Sequence, residues 1–159
     1  MRVCLIIPPS PFLLDERVFV QLGILKIASV LEQHNYTVDM IDLSGVENYT
    51  DVLTDYAKRK DRADIFGVTA TTPQVPYAVK ISQHLKALLP GKQSKVILGG
   101  PHVTLMHTAA KREAKKNLVG SDRATKDIEA LKNFFDVLVC GDGEIAIFDA
   151  IHEDVKVID

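Results

Sequence analysis

Residues 95–104 read K-V-I-L-G-G-P-H-V-T. Val96, Ile97 and Leu98 make a short apolar run of the kind that forms a strand buried on both faces. Gly99 and Gly100 then remove two side chains in succession where that strand meets a loop. Adjacent glycines there permit positive φ and let a flat group lie against the backbone. Pro101 stops the pairing by removing a donor, and His102 brings an imidazole to the same rim. In open parallel sheets ligands bind at the carboxyl ends of strands, which is where these residues fall. A tight strand-to-helix turn with no ligand accounts for the same letters, so the flanking segments decide.

Before this stretch, residues 65–69 form an apolar strand that ends in Thr69, Ala70, Thr71 and Thr72. Pro73 or Pro76 opens a helix that runs to about residue 89, where Pro90 and Gly91 break it. Residues 3–7 are a first buried strand leading into Pro8, Pro9, Ser10 and Pro11. Over residues 18–31 the apolar positions recur at helical spacing, and Asn35 suits the left-handed position that ends such a helix. Residues 38–43 read as a second strand closing near Asp42, and residues 51–60 as a short helix. After the stretch come two helical pieces, 107–116 and 123–135, with a break at Gly120 and Ser121. Residues 136–140 are a fifth strand, Gly141 to Glu144 turn it into a last helix through about 153, and 155–158 start another strand. Strands alternating with helices at this spacing predict an α/β fold: one doubly wound domain over residues 1–159, with a five-stranded parallel sheet.

The chain has 159 residues, enough for a proper core, and its hydrophobic content of 47% with 25% charged residues fits a globular protein. A formal net charge of -2 gives no electrostatic case for nucleic acid or an anionic membrane. Cys4 and Cys140, the only cysteines, fall in apolar runs and read as small core residues of a reducing compartment. The start is too short an apolar run for a signal peptide, and no run approaches membrane-spanning length. The expected location is the cytoplasm.

Four strands deliver unusual residues to one sheet edge: Pro8, Pro9 and Ser10; then Thr69, Ala70, Thr71 and Thr72; then Gly99, Gly100, Pro101 and His102; then Gly141, Asp142, Gly143 and Glu144. A phosphate-first cofactor needs glycine amides at the helix start after strand one. Neither dinucleotide nor P-loop glycines are present there, and prolines donate nothing. Asp42 stands where a ribose-binding acid would, but without those glycines it reads as a turn aspartate. Asp142 and Glu144 also have a purely structural explanation, since acids near a helix start meet its dipole and free amides.

The order P-P-x-P, L-G-I-L-x-I-A-S-V-L, Y-T-V-D-M-I-D, F-G-V-T, I-L-G-G-P-H-V-T and D-V-L-V-C-G-D-G-E resembles one family over nearly the whole chain. It is the cobalamin (vitamin B12)-binding domain that precedes the barrel of cobalamin-dependent radical S-adenosylmethionine enzymes. The resemblance implies a flavodoxin-like sheet ordered 2-1-3-4-5 that grips cobalamin at its carboxyl edge, with the nucleotide tail in a slot and the corrin over the loops. It places Thr69, Ala70 and Thr71 at the family's Ser-x-Leu element of the tail slot, and Gly99 and Gly100 at the glycine pair under the tail. Residues 141–144 match the family's Gly-Glu-Gly-Glu turn, with Asp142 in the second position. Mutase-type cobalamin domains carry Asp-x-His-x-x-Gly after strand one, but there is no histidine between Ile7 and Gly23. The lower face of cobalt is therefore expected to lack a protein histidine, with Leu13 or Leu14 covering it.

The other histidines, His34, His84, His107 and His152, are expected on helices or near helix ends, and their spacing forms no zinc set. Lys111, Arg112, Lys115 and Lys116 read as a solvated helix face. The segment 104–135 is longer than the matching family segment, so extra helix or a mobile loop is expected there.

A radical S-adenosylmethionine enzyme needs three closely spaced cysteines for its [4Fe-4S] cluster, and this chain has no such triplet. The resemblance therefore implies a non-catalytic domain whose partner is a missing carboxyl-terminal barrel. That barrel would bind S-adenosylmethionine, and the parent would carry out methyl transfer or anaerobic porphyrin cyclase chemistry. The end of the sequence inside an apparent strand is expected to mark a cut before that barrel. Two rivals remain: a cofactor-free docking or substrate-recognition module, and a receiver-like regulator. The regulator needs acids where Pro8, Pro9, Thr69 and Ala70 stand.

Overall fold

A computed structural model describes residues 1–18, 20–91, 94–116, 122–153 and 155–159. The apolar runs become β1 (Arg2–Ile7), β2 (Thr37–Asp42), β3 (Ile65–Thr69), β4 (Lys95–Gly99) and β5 (Val137–Val139). A sixth strand, β6 (Val157–Ile158), pairs in parallel with β5 through Leu138↔Val157 and Val139↔Ile158. The order is β2-β1-β3-β4-β5-β6 with every pairing parallel, so the flavodoxin-like order expected for five strands holds and is extended by one. The edge strand β2 mixes exposed and half-buried positions, whereas β1 after Arg2 and β5 are apolar and buried.

Period two along each strand sorts the core into two layers. Cys4, Ile6, Phe66, Val68, Val96, Leu98 and Leu138 face one side. There they meet α2 (Tyr49–Ala57), α3 (Val75–Leu88), α4 (Pro101–Lys116) and α5 (Arg123–Leu131). Val3, Leu5, Ile7, Ile65, Ile97, Val137 and Val139 face the other side, under α1 (Leu22–Gln33) and α6 (Gly143–His152). In α1 the core contacts come from Ile24, Ala28 and Leu31, one stripe of a 3.6-residue repeat. Asn35 ends the helix region at φ 64°, the left-handed position its sequence predicts.

Several boundaries differ from the sequence expectation for identifiable reasons. Helix α1 begins at Leu22 rather than Val18; its first core contact is Ile24, and Val18 and Val20 before it are exposed. Helix α4 begins directly at Pro101 rather than near 107. Proline suits a first helical position, where an N–H has no partner within the helix, and His102 N donates to Ala70 O at 3.1 Å. Pro73 sits in a single 3-10 turn, Thr72–Gln74, ahead of α3. The expected break at Gly120 and Ser121 lies outside the described residues. Among the described residues no helix is long and apolar enough to cross a membrane.

Candidate functional site

Residues aligned across the sheet form rows, and two rows on the α1/α6 face matter. The deeper row is Leu5, Gly67, Ile97 and Val137; the next, at the carboxyl edge, includes Thr69, Gly99 and Val139. Gly67 leaves the deeper row without a side chain on β3, and Gly99 leaves the edge row without one on β4. The two gaps lie diagonally next to each other. Ile24 and Ile27 of α1 and Ile147 of α6 lie over them, enclosing a slot of about 240 Å³ with aliphatic walls.

Each glycine at this edge has a different reason to be one. A Cβ at Gly99 would meet nothing closer than 3.9 Å, at Val139, so a side chain would fit the backbone and fill the slot. At Gly67 a Cβ would come 2.8 Å from Leu5 Cδ2, the movable end of a slot-wall side chain. Gly100, at φ +101°, would press a Cβ to 2.7 Å from Thr69 Oγ1 and 2.9 Å from Ala70 N. Gly100 is therefore required by the turn itself. Gly143 lets α6 approach α1, since a Cβ there would reach 3.0 Å from Ile27 Cδ1.

The polar lining gathers at the mouth. Thr69 is in the edge row, Gln21 precedes the first residue of α1, and Glu144 is in the first turn of α6. Among the described residues Thr69 Oγ1 has no hydrogen-bond partner, so its donor and acceptor capacity is open to the slot. Glu144 Oε1 accepts from Lys26 Nζ at 2.9 Å. That bond holds the Glu144 carboxyl below its ordinary value and raises the Lys26 ammonium. Thr104, one turn into α4, donates its hydroxyl to Gly100 O and accepts from Gly141 N, both at 3.1 Å, joining two of the edge loops.

The structure brings together part of the sequence-expected set. Thr69, Gly99, Gly100, Pro101, Gly141, Gly143 and Glu144 line the slot. Asp142 is the exposed residue before α6, without a side-chain hydrogen bond to the cap. Ala70 is fully buried in the opposite core layer. Pro8, Pro9 and Ser10 are buried, and a hub around Gln74 holds them. Gln74 Nε2 donates to Pro8 O (3.1 Å) and Ser10 Oγ (2.7 Å), and Gln74 Oε1 accepts from Thr71 N (3.0 Å) and Thr71 Oγ1 (2.9 Å).

His102, expected at the open rim, is 5% exposed. Its ring bonds Thr72 Oγ1 at 3.1 Å and Asp127 Oδ2 at 2.9 Å, joining the 3-10 turn to α5. His34 packs on Phe148 with ring centroids 4.7 Å apart, His107 lies 3.5 Å from Asp159, and His152 bonds Tyr36 Oη at 2.7 Å. His84 is half-buried between helices, against Thr54 Oγ1 and Thr50 O. Burial pushes the Cys4 thiol up to about 12 and the Cys140 thiol up to about 11, which fits core packing.

Gly67, Leu5, Ile24, Ile27, Val139 and Ile147 were not singled out from sequence. Gly67 carried a signal, since a lone glycine inside an apolar strand marks a close approach to backbone. The aliphatic residues carried none, because their letters are those of any core.

Comparison with known proteins adds the following. Residues 16–117, about two thirds of the chain, match the family model described as B12 binding domain. No curated protein matches the sequence. Among solved structures, the chain is similar to the 1.5 Å crystal structure of a novel cobalamin-binding protein from Desulfitobacterium hafniense DCB-2. Identity is 18% and the TM-score 0.47, over 62% of this chain and 44% of that one, so the match spans less than half of that protein.

Proposed function

The chain belongs to the B12-binding domain family, and from that premise we propose that it holds the base of cobalamin's nucleotide tail in the slot, with the corrin over the carboxyl edge of the sheet. The observation that carries this reading is the diagonal of Gly67 and Gly99. A flat heteroaromatic ring needs bare backbone beneath it; Gly99 supplies it, and at Gly67 only the movable end of the Leu5 side chain lies over the backbone. Clefts that enclose a whole drug-sized ligand measure roughly 300–1,000 Å³. At about 240 Å³ the slot takes one end of a large molecule. Thr69 Oγ1 is placed to donate to a ring nitrogen, and Gln21 and Glu144 flank the mouth.

The lower face of cobalt, in this reading, has no protein histidine. Residues 8–21 contain none, and the His102 ring is engaged by Thr72 and Asp127. The loop after β1 instead presents Leu14, fully exposed, and Phe12, half exposed, with Leu13 beside them. We assign Leu14 or Leu13 to cover that face. When bound, cobalamin supplies cobalt-centred methyl or electron transfer; the chain orients the group and shields it from water. The order of motifs supports a parent enzyme with a radical S-adenosylmethionine barrel and a [4Fe-4S] cluster, acting as a methyltransferase or porphyrin cyclase. With only Cys4 and Cys140 present, cluster binding belongs to that barrel. The open floor at Gly99 favours this over a cofactor-free docking module, whose slot would be plugged by side chains.

The test is to incubate the chain with hydroxocobalamin, desalt it and record the visible spectrum. Retained colour with a base-off spectrum is expected, lost on Gly99→Val. No retention overturns the reading, and a spectrum of nitrogen ligation from the protein overturns the lower-face assignment.

A further inference from the structure

We propose that the slot selects among corrinoids by their tail base, accepting a benzimidazole and rejecting a purine. The proposal rests on the cobalamin reading above. Leu5, Ile24, Ile27, Ile97, Val139 and Ile147 make the walls, and none offers a hydrogen bond. The deeper row, Leu5, Gly67 and Ile97, is apolar across three strands, and its backbone is engaged in parallel pairing. Thr69 is the one polar side chain among the sheet residues that line the slot, and it lies in the edge row; Gln21 and Glu144 are at the helix starts.

A dimethylbenzimidazole matches this division. Its ring nitrogen meets Thr69, and its carbocyclic, methylated end enters the aliphatic part. An adenine in the same place carries its exocyclic amine and pyrimidine nitrogens into that part. One hydroxyl at the edge cannot satisfy the amine and the ring nitrogens together, and polar groups buried without partners oppose binding. Apolar pockets resist an added polar group only moderately, so the expected preference is about 10- to 100-fold.

The test is equilibrium dialysis of the full chain against cobalamin, an adenine-tailed corrinoid and tail-less cobinamide, read by visible absorbance. Tightest binding of cobalamin, with the other two about 10- to 100-fold weaker, is the expected result. Equal binding of the benzimidazole- and adenine-tailed forms overturns the selectivity and leaves the cobalamin reading intact. Cobinamide binding as tightly as cobalamin removes the tail from the slot and overturns both, as does no binding at all. Ile27→Gln places an amide in the wall from a half-buried position on α1. In that variant, checked for folding by circular dichroism, the gap between the two tailed forms narrows. An unchanged gap would overturn the assignment of selectivity to the walls.

Discussion

Lys26 Nζ and Glu144 Oε1 meet at 2.9 Å and tie α1 to α6 over the mouth of the slot. Because the Glu144 carboxyl is lowered from 4.5, its contribution is present above that pH and fades as pH falls through the lower folded value. The Lys26 ammonium is raised from 10.5, so its contribution is present below that pH and fades above it. The tie is therefore intact across the neutral range. Both side chains reach solvent, so Glu144→Gln is expected to lower the melting temperature slightly in low salt and not at all in high salt. Thermal unfolding at two ionic strengths checks this; a loss that survives high salt gives Glu144 another role.

Gly99 and Gly100 are neighbours in sequence with opposite expected behaviour. Gly99→Val brings its Cβ to an ordinary contact of 3.9 Å with Val139, so stability is expected to hold while corrinoid retention is lost. Gly100→Ala forces a Cβ against Thr69 and Ala70 at φ +101°, and should cost roughly 1–3 kcal/mol in stability. Urea unfolding paired with retention separates the two. A bulky residue at Gly100 would confound folding with binding, which makes Gly99 the informative position.

Gly67→Ala is the milder probe of the deeper row. Its Cβ displaces only the end of Leu5, and removing a strand glycine restricts the unfolded chain, so stability should change by no more than about 1 kcal/mol. Corrinoid affinity should fall measurably by dialysis, because Leu5 is a slot wall.

Asp127→Ala leaves the buried His102 ring without its carboxylate partner. The expected loss is about 1–3 kcal/mol by denaturant unfolding. Corrinoid retention in the folded fraction should be unchanged, because the pair lies away from the slot lining. Retention that falls while stability holds would place His102 in the site.

The two thiols should resist alkylation in the folded protein at pH 8. Burial pushes Cys4 to about 12 and Cys140 to about 11, so little thiolate forms, and access is closed as well. Mass spectrometry after iodoacetamide should show modification only once urea unfolds the chain.

The strands and the doubly wound class were legible in the sequence because short apolar runs alternating with helical spacing are local patterns. The order 2-1-3-4-5 followed only from the family resemblance, and the two core layers emerged with the structure. The sixth strand was glimpsed as the run 155–158 and is seen as Val157–Ile158 beside β5. Of the candidate slot, part was legible. Thr69, Gly99 and Glu144 announce themselves as unusual letters at strand ends, and they line the slot. Proximity to the same edge does not reveal which side of the sheet a residue serves. His102 and Thr72 sit one helix entry and one turn past the slot residues, yet they bond each other on the opposite side. Pro8 and Ser10 were unusual because Gln74 holds them, a contact between residues 66 and 64 positions apart that no local pattern encodes.

The glycine diagonal also bears on the protein's lifetime. A ligand that completes the inner layer where Gly67 and Gly99 lack side chains binds the folded chain and has nothing comparable to grip in the unfolded one. At a hundredfold excess over its dissociation constant such a ligand adds about 2.7 kcal/mol to folding. Degradation that samples the unfolded population would then slow as corrinoid rises.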